Sequence, residues 1–233
     1  MEKQRINDVI LVHGAFADGS GWKGVYSILA KKGYNVEVLQ QPLTSLADDV
    51  KQLRHEISRM KGPILLVGHS YGGAVITEGG VHPKVAGLVY VAAFQPDKGE
   101  SDLDWFNSES VSPANGILPP DDQGIVYIDK AKFHGGFCAD LPKEEADFMA
   151  ASQGQFAGAA FATPITDPAW RHVPAYACVA TEDTTLNPAA QRKMYARSNT
   201  KVTEVKGSHC IFISQPEAVA DVIMKASTEI GSK

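Results

Sequence analysis

Apolar positions along the chain follow two rhythms. Runs without alternation occur at Ile6–Val12 (broken by Asn7 and Asp8), Ile64–Val67, Val85–Ala93 and Tyr176–Thr181. Such runs suit parallel strands covered by helices on both faces. Tyr34–Leu39 reads as a further strand ended by Pro42, and Lys201–Lys206 as a weaker, alternating one. The second rhythm is helical: Leu46, Val50, Leu53, Ile57 and Met60 recur at spacings of four and three, which places them on one face. Ser45 is the predicted N-cap of that helix with Asp48 as its capping partner, and Gly62-Pro63 ends it. A last helix is predicted from Ser214, with Glu217 completing a capping box and Val219, Ile223, Ala226 and Ile230 buried.

Strands that alternate with amphipathic helices predict an α/β fold built on a largely parallel sheet. The alternation stops between Gln95 and Arg171, a stretch rich in Pro, Gly and Asp that carries six of the nine Phe. The expected organisation is therefore a core from residues 1–94 and 172–233, with 95–171 as a cap inserted over one end of the sheet.

Composition narrows the function. At 233 residues one hydrophobic core suffices. A net charge of −5 without a basic stripe argues against a nucleic-acid partner. No apolar stretch approaches the roughly 18 residues of a membrane span, so no membrane partner is expected. The opening MEKQR lacks a signal-peptide pattern, and three cysteines without C-x-x-C spacing suggest neither disulfides nor zinc. A reducing, cytoplasmic setting is the expectation.

Gly68-His69-Ser70-Tyr71-Gly72-Gly73 directly follows the strand Ile64–Val67 and precedes a helical stretch. G-x-S-x-G between strand and helix is a nucleophile elbow, a strained turn that exposes the serine at a helix N-terminus. A serine hydroxyl needs a base. Of seven histidines, only His209 lies between the last strand and last helix, at the edge of the sheet where the base belongs. His69 should be buried and point away from the serine, His55 solvated and His82 in a loop, while His134 and His172, in or beside the insertion, take a surface role or line a pocket. Asp183, after the strand Tyr176–Thr181, gives the chain order Ser70, Asp183, His209 expected of this turn. Asp97 is its competitor. The amides of Tyr71 and of Ala15 (or Phe16, in the exit His13-Gly14-Ala15-Phe16 of the first strand) are candidates to receive an oxyanion.

The strings VILVHGAFADGSGW, LLVGHSYGGAVI, ATEDTTLNP and GSHCIFISQPEAVA resemble one branch of the α/β-hydrolase superfamily. That branch comprises small bacterial esterases similar to plant methylesterases and hydroxynitrile lyases. The resemblance covers nearly the whole chain and is weakest in the cap. It implies about six strands, a cap, no cofactor and no metal, hydrolysis of carboxylic esters, and a homodimer as a common assembly. It maps onto Ser70, Asp183 and His209, and onto the Ala15 and Tyr71 amides. The lyases carry a lysine and a threonine where this chain has Cys210 and Gly14, which argues for ester hydrolysis.

The expected partner is a small-molecule ester, apolar or aromatic, held by aromatic residues. Phe16, Trp105, Phe133 and Phe137 are the candidates named for that pocket, beside Phe106, Phe148, Phe156 and Phe161. The rival readings are a ligand receptor that keeps the triad but turns over slowly, and a lyase.

Overall fold

The computed structural model describes residues 5–232; the first four residues of the MEKQR opening and residue 233 lie outside the described residues. The chain begins with β1 (Asp8–Val12), a 3₁₀ turn at Gly19–Trp22, α1 (Lys23–Lys31), β2 (Asn35–Leu39), α2 (Leu46–Arg59), β3 (Ile64–His69), α3 (Gly72–Gly79) and β4 (Val85–Val91). Then come α4 (Asp102–Phe106), β5 (Ile125–Val126), α5 (Lys130–Phe137), α6 (Lys143–Ala151), β6 (Phe156–Ala157) and α7 (Gly158–Phe161). After a 3₁₀ turn at Ala169–Arg171 the chain returns through β7 (Ala175–Ala180), α8 (Pro188–Ala196), β8 (Lys201–Val205), α9 (Ile211–Ser214) and α10 (Pro216–Gly231).

Six strands form one sheet in the order β2-β1-β3-β4-β7-β8, every pair parallel. The central strands β3 and β7 are buried at every residue, as helices on both faces require. The edge strands β2 and β8 keep exposed positions, which accounts for the weaker alternating pattern at Lys201 onward. The sheet runs outward from β1 to β2, then returns through β3 on the other side of β1. This reversal opens a crevice at the carboxyl ends of β1 and β3, where ligands of open α/β sheets bind.

Local signals hold where they are purely local. Ser45 Oγ accepts the Asp48 amide at 3.1 Å and starts α2. Asn187 Oδ1 accepts the Ala189 amide, and Pro188 is the first residue of α8. The expected capping box at Ser214 and Glu217 does not form. Ser214 Oγ donates instead to Asp140 Oδ2 at 2.7 Å, and α10 starts at Pro216 without a side-chain cap. α1 escaped the sequence reading, although Val25 and Leu29 lie buried along one of its faces at helical spacing, with the buried Trp22 as its N-cap.

Between β4 and β7 no strand joins the main sheet. The segment contributes the antiparallel pair β5/β6, with Ile125 opposite Ala157 and Val126 opposite Phe156, together with α4–α7.

Candidate active site

Ser70 stands between the end of β3 and the start of α3, with φ of 53°, a left-handed backbone that costs an L-residue strain. The flanking glycines serve close approach. A Cβ on Gly68 would lie 2.4 Å from the Gly72 carbonyl oxygen, and one on Gly72 would lie 2.7 Å from the carbonyl oxygens of Val12 and His13. The turn can fold only with hydrogen at both positions.

Ser70 Oγ lies 2.8 Å from His209 Nε2, and His209 Nδ1 lies 2.7 Å from Asp183 Oδ2. Since a carboxylate accepts only, Nδ1 carries the proton and Nε2 is free to accept from the serine. Asp183 also takes the amides of Thr185 and Leu186 on Oδ1 and the Gln191 side-chain amide on Oδ2. Three residues distant in the chain thus meet in one hydrogen-bonded line. Asp97 is elsewhere: its carboxylate pairs with Arg171 through two bonds of 2.8 and 2.6 Å. Glu182 lies 3.7 Å from Lys206, away from the imidazole.

Three side chains hold this line in place, and none was singled out for that role by the sequence. Gln191 donates to both Asp183 and the Leu186 carbonyl, and accepts the Ala180 amide. Asp140 accepts the Ser208 amide and hydroxyl, so it anchors the loop that carries His209. His69 is buried as expected, and its side chain serves the loop of His209 rather than the serine. Its Nε2 donates to the His209 carbonyl at 3.0 Å, and its ring lies against the His209 ring. Burial, helped by the neighbouring His209, holds His69 well below the usual imidazole range, so it stays neutral. Gln191 announces itself only through its place on the helix after Asp183; Asp140 and His69 offer no such signal.

The amides of Ala15, Phe16 and Tyr71 donate to no acceptor among the described residues. All three residues line the cavity that contains Ser70. Gly14 owes its identity to contact: a Cβ there would lie 2.7 Å from Ser70 Cβ. The loop after β2 braces the exit of β1, since Gln41 Nε2 donates to the His13 carbonyl at 2.6 Å.

That cavity has a volume of about 480 Å³, and no charged side chain appears among the described residues that line it. Phe16 belongs to its wall, as expected, with Phe94, Phe106, Phe156 and Phe161. Trp105, Phe133 and Phe137 do not. Trp105 turns outward to donate to Glu100 and lies beneath Arg197. Phe133 and Phe137 are buried against each other, and Phe137 packs on the His209 ring from behind. Phe148 is 72% exposed.

The other histidines sit away from the cavity: His55 is exposed, His82 accepts the Lys84 amide, His134 bonds the Leu141 carbonyl and His172 pairs with Asp167. Cys138, Cys178 and Cys210 are free and buried. Among the described residues no group of three or more His, Cys, Asp or Glu is placed to hold a metal ion, and no helix is long and apolar enough to cross a membrane.

A parallel sheet with a strained serine after β3, hydrogen-bonded to a histidine after β8, defines the chain as an enzyme of the α/β-hydrolase type. Residues 9–222 match the model of the alpha/beta hydrolase family, and the chain belongs to that family. A pyrethroid hydrolase of Sphingobium wenxiniae is 26% identical over 246 residues, covering 94% of this chain and 86% of its own. A putative chloroplastic methylesterase of Arabidopsis thaliana, number 11, is 24% identical over 250 residues, 94% of this chain and 63% of its own. A crystal structure of a pyrethroid hydrolase superposes with a TM-score of 0.82 at 24% identity, covering 95% of this chain and 97% of the other.

Proposed function

We propose that the protein is a serine hydrolase that cleaves uncharged, apolar or aromatic carboxylic esters through an acyl-enzyme on Ser70. The observation that carries the reading is the Ser70–His209–Asp183 line, with bonds of 2.8 and 2.7 Å, opening into an apolar cavity. Ser70 Oγ attacks the ester carbonyl while its proton passes to His209 Nε2. Asp183 holds the imidazole tautomer and stabilises the imidazolium. The oxyanion is received by the Tyr71 amide and by that of Ala15 or Phe16, the unengaged donors at the site. His209 then protonates the departing alcohol. A water deprotonated by His209 attacks the acyl-enzyme, which releases the acid and restores the Ser70 hydroxyl.

The cavity supports the substrate class. Its wall offers no cation for a carboxylate and no anion for an ammonium, so a charged ester enters at the cost of desolvation. Relatives named as a pyrethroid hydrolase and a methylesterase support hydrolysis, and the second supports an ester. Cyanohydrin cleavage finds less support, because the residue after His209 is Cys210, fully buried, whose thiol burial pushes well above its ordinary range. Position 210 itself thus offers no cation to meet a departing cyanide.

The test is a panel of p-nitrophenyl and methyl esters of graded length, together with a fluorophosphonate probe. Steady-state turnover of neutral esters and labelling at Ser70 are expected. Labelling without turnover would favour a ligand receptor that keeps the triad, and efficient mandelonitrile cleavage with negligible ester turnover would favour the lyase.

A further inference from the structure

Asp49, in the first turn of α2, is fully buried, and no basic side chain pairs with it among the described residues. Each of its carboxylate oxygens nevertheless accepts a hydrogen bond. Oδ2 accepts the Tyr71 hydroxyl at 2.7 Å, and Oδ1 accepts the Leu43 amide at 2.8 Å. Leu43 has φ of 60°, a left-handed conformation that a leucine adopts only when its surroundings impose it. Its carbonyl in turn accepts the Ala157 amide of β6 at 3.0 Å. Phe156, the other residue of β6, lies edge-on to the Tyr71 ring at 4.9 Å and lines the cavity. Asp49, Tyr71, Phe156-Ala157 and Leu43 therefore close a ring of contacts around the residue that follows Ser70.

A buried carboxylate is an expensive way to fill such a space. Burial pushes Asp49 up to about 6, although the Tyr71 hydroxyl and the Leu43 amide both favour its charged form and Asp48 opposes it. An apolar side chain there would avoid that cost but leave the Leu43 amide and the Tyr71 hydroxyl unpaired, and buried polar pairs add little net stability over apolar ones. What the pair supplies is direction. A tyrosine ring held only by packing can slide; one whose hydroxyl is fixed to α2 cannot without breaking a buried bond.

We infer that Asp49 is a positioning residue: through the Tyr71 hydroxyl it fixes the backbone that presents the Tyr71 amide beside Ser70. The inference depends on the proposed role of that amide as an oxyanion donor. Asp49 does not line the cavity and touches no reacting atom. Gln41, two residues before Leu43 in the same loop, braces the His13 carbonyl at the other candidate donor strand. The loop from β2 to α2 thereby supports both sides of the oxyanion position.

The test is a double-mutant cycle of Asp49→Ala and Tyr71→Phe, read as kcat, KM and the rate of fluorophosphonate labelling at Ser70. Removing an oxyanion donor outright costs on the order of 10²–10³ in rate, so loosening one should cost about ten- to a hundredfold. Each single variant is expected to lose that much in kcat and labelling rate, with KM within about threefold. The double variant is expected to be no slower than Asp49→Ala alone, because that change already removes the bond to the Tyr71 hydroxyl. Multiplying effects, a change confined to KM, or labelling rates within twofold of wild type would overturn the inference. Tyr71→Phe removes a single oxygen and carries the test should Asp49→Ala not fold. Carbon-13 NMR of the Asp49 carboxyl adds a reading independent of any ester: its titration should move upward in Tyr71→Phe, and an unmoved titration counts against the pairing. A wild type that labels at Ser70 but hydrolyses no ester overturns the proposed function and leaves the cycle readable by labelling. A wild type that does neither overturns both.

Discussion

His69 Nε2 lies 3.0 Å from the main-chain carbonyl oxygen of His209, 140 residues further along the chain. The residue before the candidate nucleophile thus holds the backbone of its candidate base, so the elbow and the histidine loop are one unit. His69→Leu leaves the buried His209 carbonyl without its donor, at a cost of about 1–3 kcal/mol in stability. It should also slow phosphonate labelling of Ser70 by on the order of ten- to a hundredfold, because the imidazole loses its placement. His69→Gln, which keeps an amide donor, should recover part of both. Urea denaturation and labelling rates check this; a full stability loss with unchanged labelling would refute the positioning role.

Ser70→Ala should abolish ester turnover and labelling while the protein stays folded. Alanine and serine both carry a Cβ, so the strain at φ of 53° is the same in each and the turn is preserved. Circular dichroism and thermal melts should overlay with wild type. Labelling at any other serine, or turnover beyond a trace in the mutant, would remove Ser70 from the mechanism.

The two aspartates that compete for the third role should separate cleanly. Asp183→Asn should lower kcat by on the order of 10³–10⁴, because an amide there can favour the wrong imidazole tautomer. Asp97→Asn weakens a half-buried pair with Arg171 and should cost about 1 kcal/mol of stability and little activity. Equal losses of kcat would mean that Asp97 reaches the histidine in solution.

The line Ser70–His209–Asp183 was legible because each member is announced by its immediate neighbours: glycines around Ser70, a strand before Asp183, a loop before the last helix. Asp183 was the expected acid by its place after β7 and by chain order, and Asp97 stayed its competitor until the structure paired it with Arg171. The cavity wall was not legible. Phe106 and Phe137 are both apolar residues in the same segment, and what separates them is which side of the chain faces Ser70. That choice is made by packing between elements far apart in sequence. Trp105 illustrates it, since Glu100 and Arg197 draw its ring outward while the next residue, Phe106, turns in. Ser214 failed for the same reason, its hydroxyl being taken by Asp140 from a distant loop.

Asp102, the first residue of α4, offers a prediction about stability alone. Both its carboxyl oxygens are buried without a hydrogen-bond partner among the described residues, and burial holds its carboxyl well above the usual range. The folded protein therefore binds this proton more tightly than the unfolded chain does. Stability from this group is greatest below the ordinary carboxyl value of about 4 and falls as pH rises through the interval up to the folded value. Asp102→Asn removes the titration and keeps the shape. Near pH 4 the variant and wild type should be nearly equally stable, since both then bury a neutral polar group. By pH 8 the variant should be more stable, by about 1.4 kcal/mol for each pH unit by which burial raises the Asp102 carboxyl. Asp49 titrates alike in both proteins and cancels from the difference. Urea melts at pH 4.5 and pH 8 measure the change directly. A difference that shrinks as pH rises would mean that Asp102 is ionised and satisfied in the folded protein.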